Sequence, residues 1–376
     1  MNKELDKAMK QIEKSYGEDA LFSGADREKL EIKWISTGVL DIDLATQPNT
    51  GGGGIPIGRI IEIYGPEGSG KTTLVLSIIA QAQKDGHKCA FFDAENSYNP
   101  DFADLFGVKT EDLIMSQKSE GESVLDVIEA LAKTGEVRLI AIDSVAALSA
   151  AAILTSSMED QQMAVDARMW SKAMKKLKAV LNKNKCTLIL INQLREKVGQ
   201  LYGDPSITPG GRAIKFYSDQ RIEVKKRDTF SEGSGDTLVV HGHRLRARII
   251  KNKVGTVGRQ GFVDLYYDKG FNLNKDILAA GEKTGVIQKA GGWRTYTPLG
   301  VEEGSERELK ENGMDNFVQA IYSLDNPDLM LKEIKERILL GREEPLYYAE
   351  DDAEINTEGD VEEDEQTGAE KEKVPA

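Results

Sequence analysis

The stretch RIIEIYGPEGSGKTTLVLSII, from Arg59 to Ile79, decides the fold. Its first part, Ile60 to Tyr64, is a run of mostly β-branched apolar residues that is typical of a buried strand. The residues from Gly65 to Thr72 then match the phosphate-loop pattern G-x-x-x-x-G-K-[ST] at every fixed position. Apolar residues at helical spacing follow, so the stretch predicts a strand, a glycine-rich turn and a helix N-terminus.

Such a turn binds phosphate because successive backbone N–H groups point inward and the helix dipole adds partial positive charge. Lys71 would contact the β- and γ-phosphates, and the Thr72 hydroxyl would hold Mg²⁺. A Cβ at Gly65 or Gly70 would block the turn or the close approach of a phosphate. The alternative is a glycine-rich turn with an incidental lysine, although a strand and a helix flank it on the expected sides. We therefore predict a nucleoside triphosphate site.

The net charge of the 376-residue chain is −14, and most of it lies near the C-terminus. From Glu350 to Ala376 there are twelve acidic residues and two lysines, which leaves −4 for the rest. No apolar run reaches the ~18 residues of a membrane span, and the charged N-terminus is unlike a signal peptide. Cys89 and Cys186 each lie in or beside an apolar run, as expected for buried thiols in a reducing compartment. These features predict a cytoplasmic protein without disulfides or a cysteine metal site.

Acidic residues follow two further predicted strands. Lys88 to Phe92 leads into Asp93 and Glu95, and Val137 to Ile142 leads into Asp143. Ligands gather at the carboxyl ends of parallel strands, so Glu95 could orient or deprotonate an attacking water. The same position also suits a solvated loop carboxylate. Asp143 is predicted to contact Mg²⁺ through water, with an N-cap of the next helix as the alternative.

Two long segments with few apolar anchors flank a predicted amphipathic helix, Met163 to Leu181. They are Ile153 to Gln162 and Leu194 to Gly211, and segments of this kind inside a compact domain are usually functional or disordered. Further on, four segments alternate like antiparallel strands: Arg221 to Lys226, Thr237 to Val240, Leu245 to Lys253 and Gly261 to Tyr267.

Two pairs of residues stand out within these strands. His241 and His243 fall at a predicted hairpin, where we expect exposed side chains rather than metal ligands. Lys251 and Lys253, two residues apart, leave one face of a strand together. Like charges so placed repel each other unless an anion or acidic side chains lie opposite.

The ordered set of motifs resembles the RecA family of bacterial recombinases from about residue 9 to residue 300. It comprises QIEKSYG, ISTGVLDIDLA, EIYGPEGSGKTT, CAFFDAEN, AIDSVAAL, LINQLREKVG, TPGGRAIKFYS, IIKNKVG and IQKAGGW.

The resemblance implies an α/β fold. We expect a RecA-type phosphate-loop ATPase core with a mostly parallel central sheet, an N-terminal helical arm and a small α+β C-terminal domain. The expected divisions are an oligomerisation arm, the ATPase and DNA-binding core, a duplex-DNA-binding domain and a disordered acidic tail: residues 1–34, 35–270, 271–345 and 346–376. Acidic composition with few aromatic residues independently predicts disorder in the tail.

The resemblance also implies a function. The expected protein is a DNA-dependent ATPase that uses ATP and Mg²⁺, forms helical filaments on single-stranded DNA, and catalyses homologous pairing and strand exchange with duplex DNA in recombination and repair. It would also serve as a co-protease platform for a repressor of the SOS damage response. Two alternatives share its phosphate loop: a hexameric helicase or translocase, and a filament scaffold in which ATP is only an assembly switch.

The resemblance assigns roles residue by residue. Glu95 would activate water, Gln193 would sense the γ-phosphate, and Lys251 with Lys253 would reach the ATP of the adjacent subunit, together with Lys71 in the catalytic set. Thr72 and Asp143 would hold Mg²⁺. The nucleotide-binding set is Gly65, Pro66, Glu67, Gly68, Ser69, Gly70, Lys71, Thr72, Thr73, Asn99, Phe102, Asp143 and Ser144. In this set, Phe102 stands where the family usually has a tyrosine that stacks on adenine, and Asn99 replaces an aspartate.

DNA contacts are expected from the two long segments and from the C-terminal domain. Met163 and Val198 would separate base stacks, and Phe216 would lie at the subunit interface. The DNA-binding set is Met163, Arg168, Arg195, Lys197, Val198, Gly199, Gly210, Gly211, Arg212, Lys283, Lys289 and Arg294.

Overall fold

The computed structural model describes residues 3–17, 20, 21, 24, 31–48, 52–149, 162–196 and 206–341. Its tertiary contacts divide the chain into two units between Phe271 and Asn272. The predicted acidic tail, 346–376, lies outside the described residues. Within the described part of the chain, no helix has the length and apolar character needed to cross a membrane.

A nine-stranded sheet forms the centre of the first unit, in the order β13-β12-β11-β10-β3-β7-β6-β4-β5. Its strands are β3 (Ile60–Gly65), β4 (Lys88–Asp93), β5 (Leu113–Ser116), β6 (Val137–Asp143), β7 (Thr187–Gln193), β10 (Gln220–Glu232), β11 (Val239–Asn252), β12 (Gln260–Tyr266) and β13 (Gly270–Phe271). Two short antiparallel pairs accompany it, β1 (Trp34–Ile35) with β2 (Ile55–Pro56) and β8 (Arg195–Glu196) with β9 (Ser206–Ile207).

The sheet is parallel from β10 through β3, β7, β6 and β4 to β5, and antiparallel from β10 to β13. Every residue of β3 is buried, which is the pattern of a parallel strand covered on both faces. Successive side chains alternate, so Ile61 and Ile63 join one hydrophobic cluster and Ile60 joins another. The predicted α/β class with a mostly parallel sheet is confirmed.

Helices pack on both faces of the sheet. Those of the first unit are α1 (Lys3–Tyr16), α2 (Leu40–Thr46), α3 (Lys71–Lys84), α4 (Pro100–Leu105), α5 (Gly121–Lys133), α6 (Gln162–Lys183) and α7 (Gly211–Tyr217). Leu74 and Ile78 of α3 pack in the cluster with Ile61, whereas Trp170 of α6 packs in the cluster with Ile60. The core of this unit therefore consists of one cluster on each face of the sheet.

The antiparallel part differs from the sequence prediction. Thr237 to Val240 and Leu245 to Lys253 were expected to be separate strands, but β11 runs without a break from Val239 to Asn252. The reason is long-range pairing, because β11 pairs with β10 from Val239 to Asn252 and with β12 from Gly242 to Arg248. His243 therefore lies within a strand and is buried at 1% exposure, so its predicted exposure is wrong.

The second unit has its own core. It contains α8 (Leu273–Thr284), α9 (Met314–Tyr322) and α10 (Pro327–Leu340), with a three-stranded antiparallel sheet of β14 (Gln288–Ala290), β15 (Trp293–Tyr296) and β16 (Leu309–Asn312). Tyr296 and Phe317 are fully buried in its cluster. Glu333 is also fully buried, and it accepts hydrogen bonds from the Tyr296 hydroxyl at 2.8 Å and from the Leu299 backbone at 3.1 Å.

Candidate functional site

Four parallel strands end at one edge of the central sheet. Gly65 is in register with Gln193, and Asp93 is in register with Asp143. The Asp143 carbonyl accepts the Ala94 N–H at 2.7 Å and the Glu95 N–H at 3.2 Å. The ends of β3, β4, β6 and β7 therefore bring the phosphate loop, Glu95, Asp143 and Gln193 together, although they are far apart in the sequence.

The phosphate loop packs tightly on the neighbouring strands. A Cβ on Gly65 would overlap the Val224 carbonyl of β10, and one on Gly70 would come within 2.7 Å of Leu245 of β11. Gly70 also has φ +90°, a backbone conformation that favours glycine, and it immediately precedes α3. Gly65 is thus required by the neighbouring strand, and Gly70 both by the turn and by the strand it meets.

Lys71 is almost completely buried at the start of α3. Its Nζ donates a 2.7 Å hydrogen bond to the Pro66 carbonyl, which also accepts the Ser69 hydroxyl at 2.8 Å. Burial lowers the pKa of Lys71, while the nearby carboxylates of Asp143, Glu95 and Glu67 oppose that shift. The lysine is held in the loop at the position where a bound phosphate would complete its environment.

Thr72 and Asp143 form the adjacent contact, with 2.6 Å from the threonine Oγ1 to Asp143 Oδ2. Burial raises the pKa of Asp143 to about 6, the Thr72 hydrogen bond opposes the shift, and the carboxylate of Glu95 adds to it. A hydroxyl oxygen beside a carboxylate oxygen is a donor set that suits Mg²⁺, which takes few protein ligands and completes its shell with water and phosphate. These two residues therefore fit the ion that the sequence predicts.

Glu95 is connected to both neighbouring strand ends. Its Oε1 accepts the Ser144 hydroxyl and, at 3.0 Å, the Gln193 side-chain amide. The backbone turn that carries Glu95 is fixed by buried Asp93, whose carboxylate accepts the N–H groups of Ser97 at 3.1 Å and Tyr98 at 3.0 Å. Glu95 is itself exposed, so it is positioned by its neighbours and open to a substrate.

Asn99 and Phe102, which depart from the pattern of the family that the sequence resembles, have local partners. The Asn99 side chain caps α4 by accepting the Phe102 N–H at 3.2 Å, a role that aspartate fills equally well. The Phe102 ring is 36% exposed and meets Phe106 edge to face at 5.1 Å between centroids. An apolar ring is thus exposed at this position.

The two predicted trans-acting lysines lie beside the carboxyl end of α7. Lys251 donates to the carbonyls of Lys215 at 2.7 Å and Phe216 at 3.0 Å. Lys253 lies 3.5 Å from the buried carboxylate of Asp219. Burial lowers the pKa of Lys251, and the charge of Lys253 adds to this shift. Asp219 is therefore the acidic side chain that the pair of like charges requires. It contacts Lys253 and acts on Lys251 through its charge.

The predicted DNA-binding residues of the core are only partly described. Lys197, Val198 and Gly199 lie outside the described residues, as do the side chains of Met163 in α6 and Arg195 in β8. Arg168 and Arg212 are exposed, and Gly210 and Gly211 begin α7 with φ of +82° and +71°. The structure thus shows where both segments rejoin the core, at the start of α6 and of α7. Phe216, the predicted interface residue, is 72% exposed.

In the second unit the predicted basic surface is partly neutralised. Glu282 accepts from Arg294 at 2.5 Å and from Lys289 at 3.0 Å. Burial acts to raise the pKa of Glu282, but the two hydrogen bonds and the charges of Arg294 and Lys289 outweigh it and lower the pKa. Lys283 follows Glu282 on α8, and Trp293 is 48% exposed at the start of β15. Lys289 and Arg294 are paired across β14 and β15 and share one acidic partner, and the exposed Trp293 precedes Arg294 in β15.

Sequence reasoning missed three residues of these networks: Asp93, Lys178 and Asp219. Asp219 accepts hydrogen bonds from Lys178 and, at 3.3 Å, from the Ile60 backbone. No sequence motif marks Lys178 or Asp219, because Asp219 lies 41 positions from Lys178 and 159 positions from Ile60. Asp93 was visible at a strand end, but its use as a turn-forming acceptor depends on the path of residues 94–98.

Comparison with known proteins gives one family. The family described as RecA N-terminal domain matches residues 3–272. The chain is similar to Protein RecA of Clostridium acetobutylicum, with 41% identity over 91% of this chain and 97% of the relative. It is also similar to Protein RecA of Sulfurimonas denitrificans, with 43% identity over 85% and 90% of the two chains. A third relative, Protein RecA of Streptomyces ambofaciens, is 40% identical over 90% of this chain and 87% of its own length.

Proposed function

Because the chain belongs to the RecA family, we propose that it is a DNA recombinase of recombination and repair. It binds ATP with Mg²⁺, assembles as a helical filament on single-stranded DNA, and pairs that DNA with homologous duplex. ATP hydrolysis accompanies strand exchange and depends on DNA. We place this activity in the cytoplasm, and the assembled filament would also engage a repressor of the SOS response.

The observation that carries the proposal is the position of Gln193. This residue ends β7 beside the phosphate loop, its amide contacts Glu95, and it begins the segment that leads to α7. The Gln193 side chain therefore contacts Glu95, the residue proposed to activate water, and Gln193 directly precedes a proposed DNA-binding loop. A γ-phosphate that drew the Gln193 amide away from Glu95 would act on both at once.

The phosphate loop would bind the triphosphate through its backbone N–H groups, with Lys71 as the full positive charge. When bound, Mg²⁺ would neutralise phosphate charge beside Thr72 and Asp143. Glu95 would take a proton from the attacking water, and Ser144 with Gln193 would fix the orientation of its carboxylate.

Lys251 and Lys253 would complete the site from the adjacent subunit. Both side chains lie on the first unit near exposed Phe216, away from any contact with Lys71 or Asp143 among the interactions described above. An anion brought by a neighbour would relieve the repulsion between the two ammonium groups. This arrangement couples hydrolysis to assembly, because an isolated subunit lacks the neighbour's charges.

Electron microscopy of the chain with ATP and single-stranded DNA tests the proposal. Open helical filaments are expected, together with pairing of labelled single strands with homologous duplex. Closed rings would instead indicate a helicase or translocase. Filaments that pair no DNA would indicate a scaffold that uses ATP only as an assembly switch. Lys71→Ala is the matched control, since it should form neither nucleotide-dependent filaments nor paired products.

A further inference from the structure

Two lysines contact one carboxylate at the carboxyl end of α7, and a third lysine donates to the last carbonyls of that helix. Asp219 is 4% exposed, and its Oδ1 lies 3.5 Å from Nζ of Lys253. Its Oδ2 accepts from Nζ of Lys178, which also donates to the Tyr217 carbonyl at 3.2 Å. Lys251 caps the carbonyls of Lys215 and Phe216 on the same helix end. We name these four residues, Lys178, Asp219, Lys251 and Lys253, the α7 lysine cluster.

The backbone fixes Asp219 independently of its charge. The Asp219 N–H donates to the Ile60 carbonyl at 2.7 Å, and its own carbonyl accepts the Lys253 N–H at 2.9 Å. Asp219 is thus bound to the first residue of β3 and to the end of β11. The backbone of Asp219 is therefore held by strands of the central sheet, which gives the lysine side chains a fixed reference point.

Lys178 connects a further helix, α6, to Asp219. It belongs to α6, which begins where the first proposed DNA-binding segment rejoins the core. The Tyr217 carbonyl and Asp219 belong to the end of α7, which begins where the second segment rejoins it. The Lys178 ammonium therefore joins the two helices that follow the two segments, at the site that also holds Lys253.

Lys178 and Lys253 compete for the Asp219 carboxylate, so the position of the Lys253 ammonium depends on both residues. Lys178 is the more enclosed partner, at 29% side-chain exposure against 48% for Lys253. Burial lowers the pKa of Lys178, and its contact with Asp219 opposes that shift. Loss of Lys178 would remove one of the two ammonium groups in contact with the Asp219 carboxylate, which would then hold Lys253 more tightly on its own subunit.

We propose that Lys178 and Asp219 are positioning residues for Lys253, and that through them α6 and α7 set how readily this lysine reaches a phosphate on the adjacent subunit. The proposal rests on the trans role of Lys251 and Lys253 in the proposed function. It adds that Asp219 holds Lys253 in competition with that phosphate, and that Lys178 determines how strongly it does so.

A double-mutant cycle on the full-length chain tests this role, with ATP hydrolysis measured on single-stranded DNA. Lys178→Met should lower kcat by about tenfold, because Lys253 is then held more tightly on its own subunit. This is the size expected for one hydrogen bond between charged groups, and KM for ATP should be unchanged. Lys178→Arg should restore kcat, since it keeps the charge. Lys175→Met is the matched control, because Lys175 is exposed on the same helix, and it should behave as wild type.

The decisive comparison is made in a Lys253→Ala background. If Lys178 acts through Lys253, adding Lys178→Met to Lys253→Ala should cause no further change in kcat. Effects that multiply independently would overturn the proposal. Asp219→Asn is a second variant in the same cycle, and it too should cause no further change in kcat in the Lys253→Ala background. The proposal is therefore tested even if urea unfolding shows that Lys178→Met is destabilised.

Two results distinguish a failure of the positioning role from a failure of the trans role of Lys251 and Lys253. Unchanged DNA-stimulated hydrolysis in the variant with both Lys251→Ala and Lys253→Ala would reject the trans role itself. Lost hydrolysis in that variant, with Lys178→Met behaving as Lys175→Met, would reject only the positioning role.

Discussion

The side-chain amide of Gln193 donates a hydrogen bond to the carboxylate of Glu95, with 3.0 Å between Nε2 and Oε1. Gln193 ends β7 and Glu95 lies two residues after the end of β4, and β6 lies between these two strands in the sheet. Ser144, which follows β6, donates to the same Glu95 oxygen. One carboxylate therefore joins the ends of three strands at the edge that carries the phosphate loop.

Glu95→Gln should abolish most hydrolysis and leave nucleotide binding intact. An amide cannot accept the proton of water, so the rate should fall by about 10²- to 10⁴-fold. The substituted side chain can still accept from Gln193 and Ser144 through its carbonyl oxygen. Steady-state ATPase assays and fluorescent-nucleotide titration measure the two quantities, with Glu111→Gln as an exposed control. Loss of nucleotide binding in Glu95→Gln would show that Glu95 is structural.

Replacing both Lys251 and Lys253 by alanine should remove DNA-stimulated hydrolysis, by about a hundredfold or more, because cations supplied in trans to a transferring phosphate contribute at least that much. Folding of the isolated chain should persist, since the two side chains are at most partly buried. Circular dichroism and ATPase assays with and without DNA check both statements. Arg248→Ala, an exposed cation on the same strand, is the control, and an unchanged stimulated rate in the double variant would sink the assignment.

Glu129→Gln should lower the free energy of unfolding at neutral pH by about 1 kcal/mol, through the loss of hydrogen bonds between charged groups. Glu129 is 6% exposed and contacts Lys133 at 2.6 Å and also Lys176, which joins α5 to α6. These hydrogen bonds hold the pKa of Glu129 below its ordinary value of 4.5. The stabilisation is therefore present above the unfolded-state pKa and is lost as the pH falls through the folded-state pKa.

Urea unfolding of wild type and Glu129→Gln from pH 7 downward measures this difference, which should shrink in acid. The exposed pair of Lys88 and Glu136, 3.7 Å apart, supplies the control, and Glu136→Gln should have little effect at any pH. A difference for Glu129→Gln that stays constant through acid would contradict the electrostatic explanation.

Removal of residues 347–376 should increase affinity for duplex DNA and lower the free Mg²⁺ needed for strand exchange. The removed segment holds the twelve acidic residues, which we expect to compete with DNA for Lys283, Lys289 and Arg294. The composition of the tail predicts an unstructured segment, and such a tether of about 25 residues would span roughly 25–30 Å and give a local concentration near millimolar. Mg²⁺ would neutralise these acidic residues in the intact chain. DNA titrations and strand-exchange assays across Mg²⁺ concentrations check the effect, and two unchanged quantities would mean that the tail only aids solubility.

The sequence alone determined the features that depend on neighbours in the chain. The glycines, Lys71 and Thr72 lie within one turn, and the apolar runs at Ile60 and Val137 form strands because burial on both faces requires apolar side chains at consecutive positions. Such patterns are local, so spacing and residue type are sufficient to predict them. The ordered motifs likewise indicated the family, which the comparisons confirm.

Only the tertiary structure decided which distant side chains meet. Glu95 and Gln193 are 98 positions apart, and Lys178 and Asp219 are 41 apart, so no spacing rule relates either pair. The burial of His243 was also beyond reach of the local pattern, because it depends on strands β10 and β12 pairing on either side of β11. Strand order and register set these contacts, since parallel strands bring to one edge residues that the connecting helices separate in the chain.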